Sequence, residues 1–503
     1  MNIANLSISD ISTLAADITT SGTQLYSGAV TLSGADRTLT GTTITTNGIT
    51  GGSNGLTITG ASIFNGAVTG VTNLSVSSTS TLAGNVTTSG TQTYAGAVTL
   101  ARNITLTGNA ISLNSPVDGA YALVINDAGM TTLGAAVGGS TPLTNLTINT
   151  AILDARDIKL ATGGAFSITN SSPSSISGVI AGDGVSLTKA GAGLLQLSNI
   201  ANTYSGSTSI SEGILDVAYL ADGGVASSIG KSSSDAANLI FNGGTLQYTG
   251  SGALSIDRLF TITTSGGAIN GSGMGSGSTM NFTSLGEIVL SGLGERTFTF
   301  TGVTLNNQFH PVISDTDGGS GITTINQTGS GSWIISGGNT IQISSGYVDL
   351  TRLTSRSVII LTGDAVLDLL GQALTITKIT GEATNRITNS VDSSGVVLIL
   401  IGATLGNFAG MIQDGGVGKS LGLTLNSSNS SGTFTLSGSN TYSGATTITK
   451  GILVAGSANA FGISAVTIGA SGKLDLQYSG TVTLSSTLNM VCLLYTSPSP
   501  RDS

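Results

Sequence analysis

The chain has 503 residues, of which 74 are Gly, only 6 are Pro and 8% are charged, with a formal net charge of −9. An acidic chain with so few cations excludes a surface that tracks phosphates, and so excludes nucleic acid as a partner. No apolar run is long enough for a membrane-spanning helix. A Gly-, Ser- and Thr-rich composition would fit disorder, but hydrophobic residues reach 39% and recur on alternate positions, so there is apolar surface to bury.

In chain order, Met1-Asn2-Ile3-Ala4 lacks the basic start and apolar core of a signal peptide. Residues 5–32 return as residues 73–100, with 20 of 28 positions identical at an offset of 68. The array is already running at Asn5, so Met1 reads as an internal start. This first repeat family includes Gln24-Leu25-Tyr26 and Gln92-Thr93-Tyr94, and Thr72-Asn73-Leu74 echoed by Thr144-Asn145-Leu146. A second family follows. Its units open on a short acidic turn: Gly178-Val179-Ile180 with Asp183-Gly184, Pro311-Val312-Ile313 with Asp315, and Gly410-Met411-Ile412 with Asp414-Gly415. Each is followed by Asn-Thr, at Asn202-Thr203, Asn339-Thr340 and Asn440-Thr441. Residues 202–215 and 440–453 agree at ten of fourteen positions, whereas the middle copy lacks the Tyr-Ser-Gly segment. Both families share Tyr-[Ser/Ala]-Gly, at Tyr26, Tyr94, Tyr204 and Tyr442. The tail from Cys492 to Asp502 holds the only Cys and two of the six Pro. It resembles the translation of a sequencing-library adapter. The expected layout is therefore 1–150 for the first family, 151–491 for the second and 492–503 for a non-native scar.

Between these landmarks lie alternating runs such as Leu56-Thr57-Ile58-Thr59, Phe298-Thr299-Phe300-Thr301 and Leu374-Thr375-Ile376-Thr377. Such runs read as half-buried strands. The one helical candidate, Val366-Leu367-Asp368-Leu369-Leu370, reads equally well as a buried strand. Repeats of this kind predict an all-β fold, an elongated right-handed parallel β-helix (β-solenoid) with inward ladders of Val, Ile and Leu and outward Thr and Ser. The 68-residue period divides into about three coils of about 23 residues. Some 20 coils at about 4.8 Å per strand predict a rod about 100 Å long. Immunoglobulin-like sandwiches would expect a buried Trp in each unit, and the chain has one Trp.

Residues able to do chemistry are sparse. His310 is the only histidine, so a Ser-His-Asp site would have to use it; it reads as a loop residue. Asp315-Thr316-Asp317-Gly318-Gly319 has oxygen ligands at calcium-loop spacing but lacks the later ligands, which favours a plain Asp-Gly turn. The run from Gly271 to Gly277 lacks the Gly-Lys-Ser/Thr of a phosphate loop. Polysaccharide lyases and hydrolases need carboxylates converging on one face. The nearest candidates are Asp154, Arg156, Asp157 and Lys159, and Asp349 with Arg352 and Arg356. These read as exposed charges that stop strands from pairing edge to edge. No catalytic, cofactor-binding or metal residue is assigned, and no cofactor is expected.

The segment Leu436-Ser437-Gly438-Ser439-Asn440-Thr441-Tyr442-Ser443-Gly444, continued by Gly451-Ile452-Leu453, resembles the autotransporter-associated β-strand repeat. The copy from Leu197 to Leu215 is similar to it, and the first family is similar to repeats of filamentous-haemagglutinin-like adhesins. The resemblance implies a bacterial passenger β-helix, displayed or released at the outer membrane and touching the membrane only through a C-terminal barrel outside this stretch. It implies a non-enzymatic adhesive role toward a host surface, a glycan or a neighbouring cell. The alternatives are a β-helical carbohydrate-active enzyme and a self-assembling filament or phage fibre.

Overall fold

The computed structural model describes residues 3–490, apart from 276, 295, 312, 314–322, 329, 337–339, 344–346, 353–357, 362–365, 370, 393–394 and 483–486. The chain divides into two compact units, Met1–Thr263 and Thr264–Ser503. Each is a parallel β-solenoid. Among the described residues the only helical turn is a 3-10 segment, Ala236–Asn238. The ambiguous Val366 segment is a strand, Val366–Asp368.

In the first unit the winding is visible from the first residues. Leu6–Ile8, Ser12–Leu14 and Ile18–Thr19 occupy three successive faces. The chain then returns to lay Gln24 on Leu6, Val30 on Ser12 and Leu39 on Ile18. Many strands are only three to five residues long, with Gly, Asn or Asp at many of the corners, while the longest, Ile49–Phe64, bends through its corners without a break. On any face, alternate residues point inward, and the parallel register places each one on its counterpart in the coil below. One such ladder runs through Leu39, Ile58, Val76, Tyr94, Leu113 and Leu133. Every member is buried. The alternating run predicted as a strand behaves accordingly: Leu56 and Ile58 are buried, and Thr57 and Thr59 are exposed.

The coil length varies along the chain. Tyr94 lies on Val76 and Val76 on Ile58, steps of 18 residues, whereas Leu146 lies on Leu123, a step of 23. The 68-residue repeat is consequently not a whole number of coils. Above Gln24 the first face climbs through Ile44 and Ser62 to Ser80, which is three coils. Two strands further along the chain, on the third face, comes Gln92, the copy of Gln24. Successive copies of one sequence thus occupy different sides of the solenoid. This is possible because the three faces demand the same alternation, and a duplicated segment folds on whichever face it reaches.

The second unit repeats the logic with different residues. Leu398 lies under Leu423, and Leu423 under Thr446, which lies under Val466. Phe408, Leu436 and Ala455 form a parallel ladder beside it. Its core also holds an aromatic cluster. Phe300 meets Phe309 at 4.9 Å and Trp333 at 5.0 Å between ring centroids. The Trp333 Nε1–H donates to the Thr301 carbonyl at 3.1 Å, so the one large polar atom of the cluster is satisfied.

A core built from ladders should be sensitive to a single rung. Ile58→Ala, fully buried between Leu39 and Val76, should lower the free energy of urea unfolding by about 2–5 kcal/mol. The outward neighbour change Thr57→Ala should stay within about 0.5 kcal/mol.

Candidate functional site: the coil corners and the outward ladders

The shared sequence Asn-Thr-Tyr-Ser-Gly is a corner, and its two copies are built alike. Asn202 accepts from the Ile180 N–H in the coil before, at 2.8 Å, and donates to the Ser228 carbonyl in the coil after, at 2.8 Å. Asn440 does the same with Ile412, at 2.8 Å, and Ala460, at 2.7 Å. Both side chains are buried. Two corner groups that would otherwise lack partners are satisfied by one primary amide, which carries its acceptor oxygen and its donor nitrogen on separate atoms and so reaches both coils at once. The next inward residue, Tyr204 or Tyr442, is fully buried, and its hydroxyl meets Thr208 or Thr446 at 2.8 Å in each copy. The serine then reaches back one coil. Ser205 donates to Asp183 at 2.6 Å and Ser443 to Asp414 at 2.5 Å. The acidic turn and the Asn-Thr-Tyr-Ser-Gly block, read separately along the sequence, are stacked parts of one corner.

The glycine explains why Tyr-[Ser/Ala]-Gly is shared by both families. At Gly28, Gly96, Gly206 and Gly444 alike, a Cβ would collide with backbone atoms of the coil beneath. The tyrosines of the first family use a different polar partner. Tyr26 donates to Gln24 at 2.9 Å and Tyr94 to Gln92 at 3.2 Å. Each buried glutamine amide in turn donates to the carbonyl of the neighbouring coil, Thr40 or Thr107, at 2.8 Å. Burial pushes the Tyr26 and Tyr442 phenols up to about 12. They therefore serve as neutral packing groups rather than as acids.

Exposed corners use a simpler version. Asn5, Asn73, Asn85, Asn103 and Asn145 each accept from a backbone N–H one coil later, at 2.8–3.0 Å. Asp17 and Asp157 do likewise, at 2.9 and 2.7 Å. The charges considered above as a carboxylate site are part of this scheme. Asp157 caps Val179, and Asp154 pairs with Arg156 at 2.9 Å on the outer surface. Asp154 lies mid-ladder between Thr132 and Ser175, so it does not guard a strand edge as expected. His310 contacts the Gln308 side chain at 3.0 Å in the loop after Asn307–Phe309. Gly271 ends a strand, and residues 272–275 after it belong to no named strand. Among the described residues no group of three or more His, Cys, Asp or Glu could hold a metal ion. Asp315–Gly319, Asn339, Arg356 and the tail from Cys492 lie outside the described residues, as do the side chains of Asp349 and Arg352.

Among the described residues, three buried cations escaped the sequence reading: Lys189, Arg258 and Arg296. Lys189 points inward, and its ammonium donates to three carbonyls: Ala190 at 2.8 Å, Gly191 at 2.6 Å and Glu212 at 3.1 Å. Burial pushes its pKa down to about 8, against the opposing pull of the Glu212 charge. Its neighbours Leu187 and Leu195 alternate as any strand would, so only its placement at an inward position could have flagged it.

A parallel solenoid whose corners are bonded from coil to coil defines the class as a β-solenoid repeat protein. The passenger-associated-transport-repeat family matches residues 187–217 and 429–455, the two coils that carry these corners. Over 398 residues, 71% of its length, the chain is 32% identical to the adhesin BmaC autotransporter of Brucella suis biovar 1 (strain 1330). The chain spans 11% of that relative's length. No solved structure matches it. The chain is thus a passenger-type β-solenoid bearing autotransporter-associated repeats.

Two outcomes follow from the buried groups. Asn440→Ala strands the Ile412 N–H and the Ala460 carbonyl, and should cost about 1–3 kcal/mol in urea unfolding. Between pH 8 and 10 the folded chain holds Lys189 less protonated than the unfolded chain does, so its contribution to stability rises with pH. The stability difference between wild type and Lys189→Met, followed by denaturant midpoints across that window, should shift in favour of wild type as pH rises.

Proposed function

We propose that this chain is part of the surface-exposed passenger of a Gram-negative autotransporter and that it works by adhesion, not by catalysis. The observation that carries the reading is the outer surface itself. It is made of stacked hydroxyl and amide ladders, such as Thr107, Asn126, Asn149 and Thr169 in register. Such a surface offers many weak, equivalent contacts, and adhesion strength then comes from multivalency. The homology to an autotransporter adhesin supports the same role. The candidate chemistry residues support it too. Arg156 pairs with Asp154 in its own coil and donates to Ser177 in the next, and Asp157 caps Val179 in the next coil, so these charges are engaged structurally. A partner on a host surface, a glycan or a neighbouring cell fits this reading, and nucleic acid does not, given the net charge of −9.

The test is to display the chain on a non-adherent Gram-negative laboratory strain through a heterologous barrel. Retention on epithelial monolayers, immobilised glycans and sister cells is then compared with the barrel alone. Retention several-fold above the barrel on at least one of these surfaces is expected, and equal retention on all of them would refute the adhesive role.

A further inference from the structure

The first unit carries a groove of about 520 Å³ along the corner between its second and third faces. It crosses several coils because the corner residue of each is small: Gly108, Ala128, Ala151 and Gly191 form its floor. Its wall is an outward ladder in which Thr107, Asn126, Asn149 and Thr169 stand directly over one another. Three strand spacings of about 4.8 Å give that row a length of about 14 Å.

We infer that this groove is a binding site for a neutral, hydroxyl-rich polymer, a glycan chain lying along the solenoid axis. This rests on the adhesive reading above and names its ligand class. Several observations select the ligand. Within the ladder, Asn149 donates to Asn126 at 2.9 Å. That bond leaves the Asn126 amide N–H₂ and the Asn149 carbonyl oxygen facing outward, one donor and one acceptor a coil apart. Both suit a sugar hydroxyl, which gives and takes hydrogen bonds equally.

Beneath them Asn170 is fully buried, and its Nδ2 is engaged by Ser172 at 2.7 Å and Leu194 at 2.9 Å, yet its Oδ1 has no partner. That acceptor is closed off from solvent on the inward side of the strand, so it takes no part in binding at the groove. A charged ligand finds no counterpart. No Lys or Arg lines the groove, and the one carboxylate, Asp127, is saturated by Ala110, Ile111, Gly129 and Thr131 at 2.7–2.9 Å. An extended peptide finds no edge to join. The strands here are paired on both sides and run across the groove, not along it. The methyl groups of Ala128 and Ala151 supply apolar patches for the C–H face of a sugar ring, and each ring advances a chain by about one coil spacing.

The test titrates the full chain by calorimetry with neutral hexasaccharides of glucose, mannose and galactose, alongside a sulfated hexasaccharide. At least one neutral sugar should bind. Asn126→Ala with Asn149→Ala should weaken it by about tenfold, and Ala128→Trp, an exposed position, should abolish it while circular dichroism stays unchanged. Absence of binding by every neutral sugar would overturn the inference, as would equal binding of the sulfated one or indifference to both variants. The same variants in the displayed-cell assay separate the two readings. Adhesion without sugar binding sinks only the groove, whereas sugar binding without adhesion sinks only the adhesive role.

Discussion

The constraint on which everything else rests is the constant spacing of parallel strands. Each coil is bonded to the next by backbone pairs such as Leu6 N–H to the Thr23 carbonyl at 2.9 Å, repeated along all three faces. Once that pitch is set at about 4.8 Å, every side chain has a counterpart at that distance above and below. Inward, this favours branched aliphatics that interlock. Outward, it penalises charge, because like charges stacked at this range cost about 1 kcal/mol even in water. Thr, Ser and Asn carry no such penalty and hydrogen-bond along the stack. The 8% charge content is thus a consequence of the winding, and so is a surface suited to neutral partners.

The corners are where the pitch could fail. A turn breaks the ladder and leaves backbone groups without partners, some of them shielded from water. The chain meets this with side chains that bridge coils: buried amides at Asn202 and Asn440, buried glutamines at Gln24 and Gln92, and exposed Asn and Asp elsewhere. The glycines that follow the four tyrosines remove the one atom that would hold the coils apart. Asn-Thr-Tyr-Ser-Gly is therefore a unit of inter-coil bonding, and its recurrence reports architecture. The groove is a by-product of the same economy, since small corner residues that let coils approach also leave a trough with polar walls.

Duplication in the first unit did not respect the coil. Because Gln24–Tyr26 and Gln92–Tyr94 end on different faces, the identical outward residues around them look in different directions. A solenoid with three near-equivalent faces tolerates this, whereas a globular core would not, since a segment moved to a new neighbour there meets a different shape. For an adhesive surface the result is the same set of groups offered on more than one side.

Much of this was legible in the residues alone. Strict alternation in Leu56-Thr57-Ile58-Thr59 and the glycine- and asparagine-marked turns sufficed for a parallel solenoid, because strand period and turn chemistry are local properties. The Asn-Thr-Tyr-Ser-Gly blocks sufficed to mark a coil corner and the autotransporter-type repeat. The phase between repeat and coil was not legible, because the visible period of 68 belongs to duplication, while the coil steps, 18 residues from Val76 to Tyr94 and 23 from Leu123 to Leu146, belong to hydrogen-bond register. Nor could the sequence join Asp183 to Ser205, place Lys189 among carbonyls, or bring Asn126 over Asn149 beside an unsatisfied Asn170. Those relations link residues about twenty apart that meet only once the winding sets which coil lies on which. The sequence by itself determined the element type, the corner chemistry and the kind of surface. The tertiary structure decided which residues share a ladder, which side they face and where a groove opens, because these depend on register summed over many coils.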